Sequence, residues 1–415
     1  MELIPGYKRS DVGVIPDDWD AKPPCKIGDS LIGLTYRPSE VRKYGTLVLR
    51  SSNVQNGTLC FDDNVFVETE IPERIMVRSG DILVCVRNGS RDLIGKSALI
   101  DERAIGMTFG AFMAVFRSEH GKLLHHVFQS GIFKKQINEH LGATINQITN
   151  KSLNSFQVPL PPTSEERMQI VNALSDVDAL LTTLDQMIAK KRDLKQAAMQ
   201  QLLTGKTRLP GFSGPWDVKK IGEFTDCTAG GTPSTLNSAY WGEDIPWMSS
   251  GELHLKRVQD VEGRITELGL NNSSTKIIPS HCVLIGLAGQ GKTRGTVAIN
   301  LIELCTNQSI AAIFPNKSFN SEYLFHNLES RYDELRELST GDGGRGGLNL
   351  KIIKSIDIPF PSLEEQDAIA SVLSDLDAEL AALEARRDKT LNLKCAMMQE
   401  LLTGKTRLIQ GGLNG

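Results

Sequence analysis

Two long stretches of the chain carry apolar residues at every third or fourth position, with polar residues between them. The stretches are residues 163–209 and 362–408. This period places the apolar side chains on one face of an α-helix, where they form a seam that needs a partner. The seam residues are Ile170, Leu174, Val177, Leu181, Leu184, Ile369, Leu373, Leu376, Leu380 and Leu383. Two long helices that pack on each other are therefore predicted.

The two stretches are copies of one sequence. They align without a gap, about half of the aligned positions are identical, and both end in Leu-Leu-Thr-Gly-Lys-Thr-Arg-Leu. Thr163 and Glu166 have the spacing of a capping box at a helix start, and Ser362 stands at the same place in the second copy. Gly205 and Gly404 can close the helices in a left-handed conformation. Each helix would hold about 42 residues and reach about 60 Å. An ordinary core helix, the alternative interpretation, averages only about 11 residues.

The segments outside these helices are predicted to be two domains with a common plan. Each begins with a Trp-Asp pair, at Trp19 and Trp216, and continues through short apolar runs separated by glycine-rich turns. This pattern is typical of β-hairpins. A helix is predicted to close each domain, near residues 122–141 and 321–338.

The expected fold class is therefore α/β, with two mixed α/β domains and two long helices related by a pseudo-two-fold internal repeat. The predicted boundaries are residues 1–158 for the first domain, 159–209 for a central helical spacer, 210–358 for the second domain and 359–415 for a C-terminal helical spacer.

Composition narrows the class of protein. The chain has 415 residues, enough for several domains, and a net charge of -4, so any contact with nucleic acid must use local patches or a basic partner. Its seven cysteines are scattered and predict neither a disulfide framework nor a zinc site. The amino terminus lacks a signal pattern, and no apolar run approaches the roughly 18 residues that cross a bilayer. We expect a cytoplasmic protein without a membrane partner.

One motif resembles a nucleotide-binding loop. Residues 286–293 match G-x-x-x-x-G-K-[ST], but that loop binds phosphate only when a helix follows at once, and residues 294–299 have the pattern of a strand. The first domain has Arg87–Arg91 at this point, so the sequence favours a hairpin tip. A P-loop-type ATPase on a coiled-coil scaffold is one alternative function, and a purely structural scaffold is another. The histidines show no metal-ligand spacing, so no metal site is predicted.

The order of these features resembles the DNA-specificity subunit of type I restriction-modification systems, over essentially the whole chain. The resemblance rests on the proline-rich turns at residues 159–162 and 359–361, on the helices that end Leu-Thr-Gly-Lys-Thr-Arg-Leu, and on second-domain motifs at residues 230–234, 240–247 and 307–309. The first domain departs from the family pattern at residues 33–38.

The resemblance implies two target-recognition domains, each reading one half of a bipartite, asymmetric target in double-stranded DNA. It implies that the two helices run antiparallel as an intramolecular coiled coil, separate the domains and dock two methyltransferase subunits. Those subunits would hold S-adenosylmethionine, and restriction/translocase subunits would use ATP and Mg²⁺. This chain would contribute no catalytic residue and no cofactor.

Base reading requires Arg or Lys for guanine and Asn or Gln for adenine, on loops that enter a groove. Such loops follow the short strands of both predicted domains. The candidate DNA-binding residues are Arg37, Arg50, Asn53, Gln55, Arg87, Asn88, Arg91, Ser234, Ser249, Glu252, Gln290, Lys292 and Arg294. Because one duplex turn is about 34 Å, helices of about 60 Å could hold the two domains on successive grooves.

Overall fold

A computed structural model describes residues 5–141, 146–289, 293–338 and 347–408. The chain divides into two compact units: unit 1 contains residues 1–184 and 386–415, and unit 2 contains residues 185–385. The helices are α1 (Gly121–Gln129), α2 (Gly131–His140), α3 (Asn150–Ser155), α4 (Ser164–Leu202), α5 (Ile221–Phe224), α6 (Glu267–Asn271), α7 (Ser321–Glu329), α8 (Tyr332–Glu337), α9 (Leu350–Lys354) and α10 (Leu363–Leu401).

The long helices α4 and α10 form where the sequence predicts them. Each has 39 residues, or about 58 Å of helix. The Thr163 hydroxyl accepts a hydrogen bond from the backbone N–H of Glu166 at 3.2 Å, and Ser362 caps α10 in the same way. Gly205 and Gly404 close the helices with φ of 69° and 68°, the left-handed conformation expected of a C-terminal glycine.

The seam packs the two helices together within each unit. In unit 1, Ile170 and Leu174 of α4 share a core with Met398 and Leu401 of α10. In unit 2 the roles are exchanged, and the start of α10 packs on the end of α4 through Leu373 and its neighbours. Asp178 of α4 pairs with Lys394 in unit 1, and Lys195 of α4 pairs with Asp377 in unit 2. Residue numbers that rise along α4 have partners whose numbers fall along α10, so the two helix segments in each unit run antiparallel. All ten seam residues are buried or half-buried.

The strands of unit 1 form two main sheets. One has the antiparallel order β11-β10-β13-β4, and the other has the order β12-β6-β9-β5, in which β12 and β6 are parallel. The strands are β1 (Tyr7–Ser10), β2 (Gly13–Pro16), β3 (Asp20–Lys22), β4 (Asp29–Ile32), β5 (Val41–Arg42), β6 (Thr46–Leu49), β7 (Val54–Gln55), β8 (Thr58–Leu59), β9 (Phe66–Val67), β10 (Ile82–Cys85), β11 (Ser97–Leu99), β12 (Thr108–Phe109), β13 (Met113–Arg117) and β14 (Val158–Leu160). One core lies between the two sheets. A second core lies between strands β10 and β13, the helices α1–α3, the start of α4 and the end of α10.

Unit 2 repeats this plan. Its five-stranded sheet has the order β16-β24-β21-β22-β18, and its second sheet has the order β19-β17-β23-β20, with β17 and β23 parallel. The strands are β15 (Asp217–Lys220), β16 (Cys227–Ala229), β17 (Trp241–Met248), β18 (Arg257–Val258), β19 (Arg264–Ile265), β20 (Ile277–Ile278), β21 (Val283–Gly286), β22 (Val297–Asn300), β23 (Leu304–Thr306), β24 (Ile310–Ile313) and β25 (Asp357–Phe360). The predicted hairpins are confirmed, since β10 pairs antiparallel with β11 and β21 with β22. The mixed α/β fold class is confirmed as well.

Two details differ from the sequence prediction. The helix that closes each domain is broken into two, because Ser130 is extended, with ψ of 167°, and because Arg331 is non-helical between α7 and α8. The segments before α4 and α10 are not simply turns. Their residues form β14 and β25, which pair with β3 and β15, the strands that begin at the Asp of each Trp-Asp pair. Within the described residues, no helix is both long and apolar enough to cross a membrane.

Candidate nucleic-acid interfaces

In unit 1, four strand ends lie at one margin of the two sheets. The parallel strands β6 and β12 end side by side at Leu49 and Phe109. Strand β10 ends at Cys85, which pairs with Met113 at the start of β13. Strand β4 ends at Ile32, which pairs with the second residue of β13. The loops attached to these strand ends are therefore neighbours.

We call this set of loops edge 1. The Leu34 N–H donates to the Phe109 carbonyl at 2.7 Å, and the Asn88 side-chain amide donates to the Ser51 hydroxyl at 3.2 Å. The first bond ties the loop after β4 to the end of β12, and the second ties the loop after β10 to the loop after β6. Edge 1 contains residues 33–37, 50–55, 87–91 and 110–112. It thus holds all seven candidate residues of the first domain.

The candidates in the first two loops have different surroundings. Arg37 and Gln55 are exposed. Arg50 is half-buried, and its guanidinium donates to Asp63 at 2.8 Å. An arginine that is already paired must give up its carboxylate before it can bind a base or phosphate. In this conformation the side chains of Arg37 and Gln55 are accessible for direct contact with DNA, whereas Arg50 is occupied by Asp63.

Asn53 is held inside its loop by hydrogen bonds. Its side chain is fully buried, and its oxygen accepts from the Arg50 N–H at 2.9 Å. Its amide donates to the carbonyls of Cys60 and Asp63 at 3.0 and 3.2 Å. All its hydrogen-bonding capacity holds the turn after β6 in shape. In this conformation these bonds occupy the Asn53 side chain, and a base-reading role for Asn53 stays a prediction.

The loop after β10 carries the remaining three candidates. Asn88 is half-buried and its side-chain oxygen accepts from the Ser90 N–H at 3.0 Å. Arg91 is exposed, and its guanidinium reaches the Leu141 carbonyl at 3.5 Å. Arg87 is exposed too, and its guanidinium lies 5.1 Å from the centre of the Phe112 ring. This loop presents two cationic groups and one amide at the same margin.

The equivalent strand ends meet in unit 2. The parallel strands β17 and β23 end side by side at Met248 and Thr306. Strand β21 ends at Gly286, opposite Ile310 at the start of β24. Strand β16 ends at Ala229, paired with the second residue of β24. We call the adjoining loops edge 2, and they contain residues 230–234, 249–252, 287–289, 293–294 and 307–309.

The second-domain candidates are distributed unevenly on edge 2. Ser234 is exposed, and Arg294 is half-buried. Gln290 and Lys292 lie outside the described residues. The Glu252 carboxylate accepts from the N–H and hydroxyl of Ser249, at 2.8 and 3.0 Å, and from the Glu262 N–H at 3.0 Å. Ser249 and Glu252 therefore hold the loop after β17 in this conformation, and their role in reading bases stays a prediction.

Asn53 and Glu252 have the same structural role. Each lies three residues after a residue whose backbone N–H it accepts, in a short 3-10 helix that follows β6 or β17. The sequence contained the signal for this, because Asn and Glu at that spacing cap a helical turn. The same residues are also predicted as base contacts, because they are polar and lie in loops.

Sequence reasoning missed exposed apolar side chains near both edges, because it searched only for polar groups. Phe112 on edge 1 is 58% exposed, and Leu236, just beyond residues 230–234, is 96% exposed. Apolar side chains can contact the thymine methyl group or wedge between base steps. The signal in the sequence that could have located them is an apolar residue within an otherwise polar loop.

The glutamates near the start of α4 and α10 have partners that the sequence did not reveal. In unit 1 the buried Glu166 carboxylate accepts from Arg407 at 2.7 and 2.8 Å, and from the Trp19 indole at 3.3 Å. Hydrogen bonding to Glu166 raises the pKa of Arg407. In unit 2, Glu365 accepts from Arg208, twice at 2.6 Å, and from the Trp216 indole at 3.0 Å. The capping-box prediction is thus half right: the hydroxyl caps the helix, but the carboxylate binds elsewhere.

A second repeated cluster joins α1 in unit 1, and α7 in unit 2, to α4 and α10. In unit 1, Asp178 pairs with Lys394 at 2.6 Å and lies 3.8 Å from His126. In unit 2, Lys195 pairs with Asp377 at 2.6 Å and with Glu329 at 3.1 Å. These side chains include metal-ligand types, but an ammonium group lies against the carboxylates of each cluster. They are accordingly ion-pair networks.

The nucleotide-loop motif lies between two strands of a β-hairpin. Strand β21, at its start, pairs antiparallel with β22, which begins at Val297. Among the described residues from 286 to 300 no helix begins, so none supplies the free N–H groups that a phosphate loop uses.

Comparison with known proteins finds a family that matches both units of the chain. The model of the family described as type I restriction modification DNA specificity domain matches residues 35–192 and again residues 214–393. The putative type I restriction enzyme MjaX specificity subunit of Methanocaldococcus jannaschii is 26% identical over 430 residues, covering 97% of each chain. The EcoKI specificity subunit of Escherichia coli K12 is 26% identical over 420 residues, covering 94% of this chain and 89% of the relative.

Solved structures share the fold. The S subunit of a type I restriction-modification system from M. genitalium aligns with a TM-score of 0.63 at 15% identity, covering 97% of this chain and 98% of that one. A chain from a study of complex assembly and conformational transition of the type I R-M system aligns with a TM-score of 0.54 at 19% identity, covering 94% and 99%.

Proposed function

The chain belongs to the type I restriction modification DNA specificity family, and we propose that its two units each read one half of a bipartite, asymmetric target in double-stranded DNA. Edge 1 reads one half-site and edge 2 reads the other. DNA sequence recognition is the function of the family, and the assignment of one half-site to each edge is our inference.

One observation carries this proposal: the two edges share a scaffold but present different side chains. The Val86 N–H donates to the Phe112 carbonyl at 3.1 Å, and the Leu287 N–H donates to the Ser309 carbonyl at 2.8 Å, at the same place in the two sheets. The scaffold is thus duplicated while the exposed groups differ. Such a chain suits an asymmetric target, as a symmetric dimer suits a palindrome.

The long helices set the distance between the half-sites in this proposal. Helices α4 and α10 each contribute residues to both units, so each unit is joined to the other by two uninterrupted helices. The proposal also gives their outer faces a role in docking two methyltransferase subunits. Exposed apolar residues on α4, among them Met187 and Leu194, are available for such contacts.

Chemistry belongs to partner subunits in this proposal. The methyltransferase subunits hold S-adenosylmethionine, the restriction/translocase subunits use ATP and Mg²⁺, and this chain supplies specificity without a catalytic residue. The polar groups of edges 1 and 2 support a specificity role for this chain, because they either face outward on loops or hold a turn. The alternative, a P-loop-type ATPase, has no support in the antiparallel pairing of β21 with β22.

A domain exchange tests the proposal. Residues 1–158 are replaced with the matching segment of another family member, and methylated adenines are mapped in cells that also express the methyltransferase subunits. We expect one half-site to change and the other to remain. Changes in both halves would contradict independent reading, and sequence-independent or absent methylation with the unaltered chain would contradict a specificity role.

A further inference from the structure

One arginine on edge 1 differs from the others in how it is held. The backbone N–H of Arg87 donates to the Phe112 carbonyl at 3.1 Å, and its backbone bridges to Gln147 on the other side. Its guanidinium lies over the Phe112 ring, 5.1 Å from the ring centre. Backbone and side chain are therefore both fixed relative to Phe112, while the guanidinium remains exposed.

The remaining arginines of edge 1 are less prepared to read a base. Arg50 is already paired with Asp63, and Arg91 reaches toward the Leu141 carbonyl. Arg37 is exposed but has no ring beneath it among the described residues. Arg87 forms no ion pair with a described carboxylate. A stacked guanidinium loses less conformational entropy on binding, because its plane is already oriented.

We propose that Arg87 and Phe112 act together as a specificity-determining pair for the first half-site. The Arg87 guanidinium donates to O6 and N7 of a guanine, and the exposed edge of the Phe112 ring contacts the methyl group of a thymine at the neighbouring base pair. This inference rests on the proposed function and deepens it, since it names two of the groups that the first half-site must satisfy.

Unit 2 shows that the pair is not part of the shared scaffold. Its Leu287 and Ser309 make the scaffold bond that Val86 and Phe112 make in unit 1. The residue after Leu287 is Ala288, so neither a guanidinium nor a ring occupies the equivalent positions. The second half-site should therefore be indifferent to changes in the pair, and it serves as an internal control for folding.

Base analogues test the two contacts separately. The full complex of the chain with its methyltransferase subunits methylates synthetic duplexes that carry the cognate target. In one series each first-half guanine is replaced with 7-deazaguanine, which lacks the N7 acceptor. In the other, each thymine is replaced with uracil, which lacks only the methyl group. The unaltered complex should lose about tenfold in methylation rate at one deazaguanine position and a smaller factor at an adjacent uracil position.

Variants then assign each loss to a residue. R87A should remove the sensitivity to 7-deazaguanine at that one position, R87K should retain part of it, and F112A should remove the sensitivity to uracil. Arg103→Ala is the matched control. Arg103 also lies over a phenylalanine, Phe61, at 5.4 Å, but its guanidinium is held by Asp101 at 2.7 Å. This control should keep both sensitivities.

The outcomes separate this inference from the proposed function. A complex that methylates its target specifically, but whose response to both analogues is unchanged in R87A and F112A, overturns the pair. A first half-site that contains no guanine overturns it as well. A complex without any sequence preference would instead contradict the proposed function itself. Loss of discrimination at the second half-site in F112A would also count against the pair, because that result indicates a general structural defect.

Discussion

Arg407 and Glu166 form a two-bond ion pair across 241 positions of sequence, joining the residues that follow α10 to the start of α4. The Glu166 side chain is fully buried. Glu165, one position earlier, is exposed on the same first turn. The glutamate pair at each helix start thus has one solvated member and one that binds the other copy's terminal arginine.

Removal of Arg407 should destabilise the chain strongly. Arg407→Ala leaves the Glu166 carboxylate buried without its cation, which typically costs about 3–5 kcal/mol in the free energy of unfolding. Arg192→Ala is the matched control, because its partner Glu384 and Arg192 itself are both largely exposed, and such pairs contribute about 0–1 kcal/mol. Chemical denaturation of both variants checks this. Similar losses in the two variants would contradict the role given to Glu166.

His126 should make unit 1 sensitive to mild acid. Burial lowers the pKa of His126 to about 4, and the unfolded chain should titrate near the ordinary value of 6.5. Between these values the unfolded state binds more protons, so stability is fully present above about pH 6.5 and falls as the pH drops toward 4, by up to about 1.4 kcal/mol per pH unit. His126→Gln should flatten the curve of unfolding free energy against pH in that window, and an unchanged slope would refute this account.

Local sequence signals predicted the elements that depend on local interactions. The seam, the hydroxyl caps and Gly205 each act within a few residues, so the long helices could be predicted closely. The break at Ser130 was not predictable in this way, since an apolar period continues across it.

The edges required strand pairing that no local pattern encodes. Leu49 and Phe109 end adjacent parallel strands although 60 positions of sequence separate them. Turn residues in the sequence locate the loops that carry the candidate DNA-binding residues. Whether those loops lie together at one margin of the sheets depends on the register of the paired strands. Whether Asn53 faces solvent or fills a turn depended likewise on groups at Cys60 and Asp63.

Asn53 should contribute more than Gln55 to the free energy of unfolding. Asn53→Ala removes the acceptor for the Arg50 N–H and leaves the carbonyls of Cys60 and Asp63 without this donor, which should cost about 1–3 kcal/mol of unfolding free energy. Gln55→Ala, two positions later and exposed, should stay within about 0.5 kcal/mol of the parent. Thermal denaturation ranks the two variants, and a tolerated Asn53→Ala would contradict the structural role given to Asn53.

Lengthening both long helices should lengthen the unread spacer between the half-sites. Four residues inserted after Leu184 in α4 and four after Ala385 in α10, the positions where the two units meet along the chain, add about 6 Å to each helix. The matched insertions preserve antiparallel pairing on either side, so both half-site sequences should be retained. Because base pairs are stacked about 3.4 Å apart along the duplex, the spacer should grow by one or two base pairs. Methylated-adenine mapping measures this, with an insertion in the exposed turn after Arg42 as the control that should leave the spacing unaltered. A spacer of unchanged length in the helix variant would show that the helices do not set the distance.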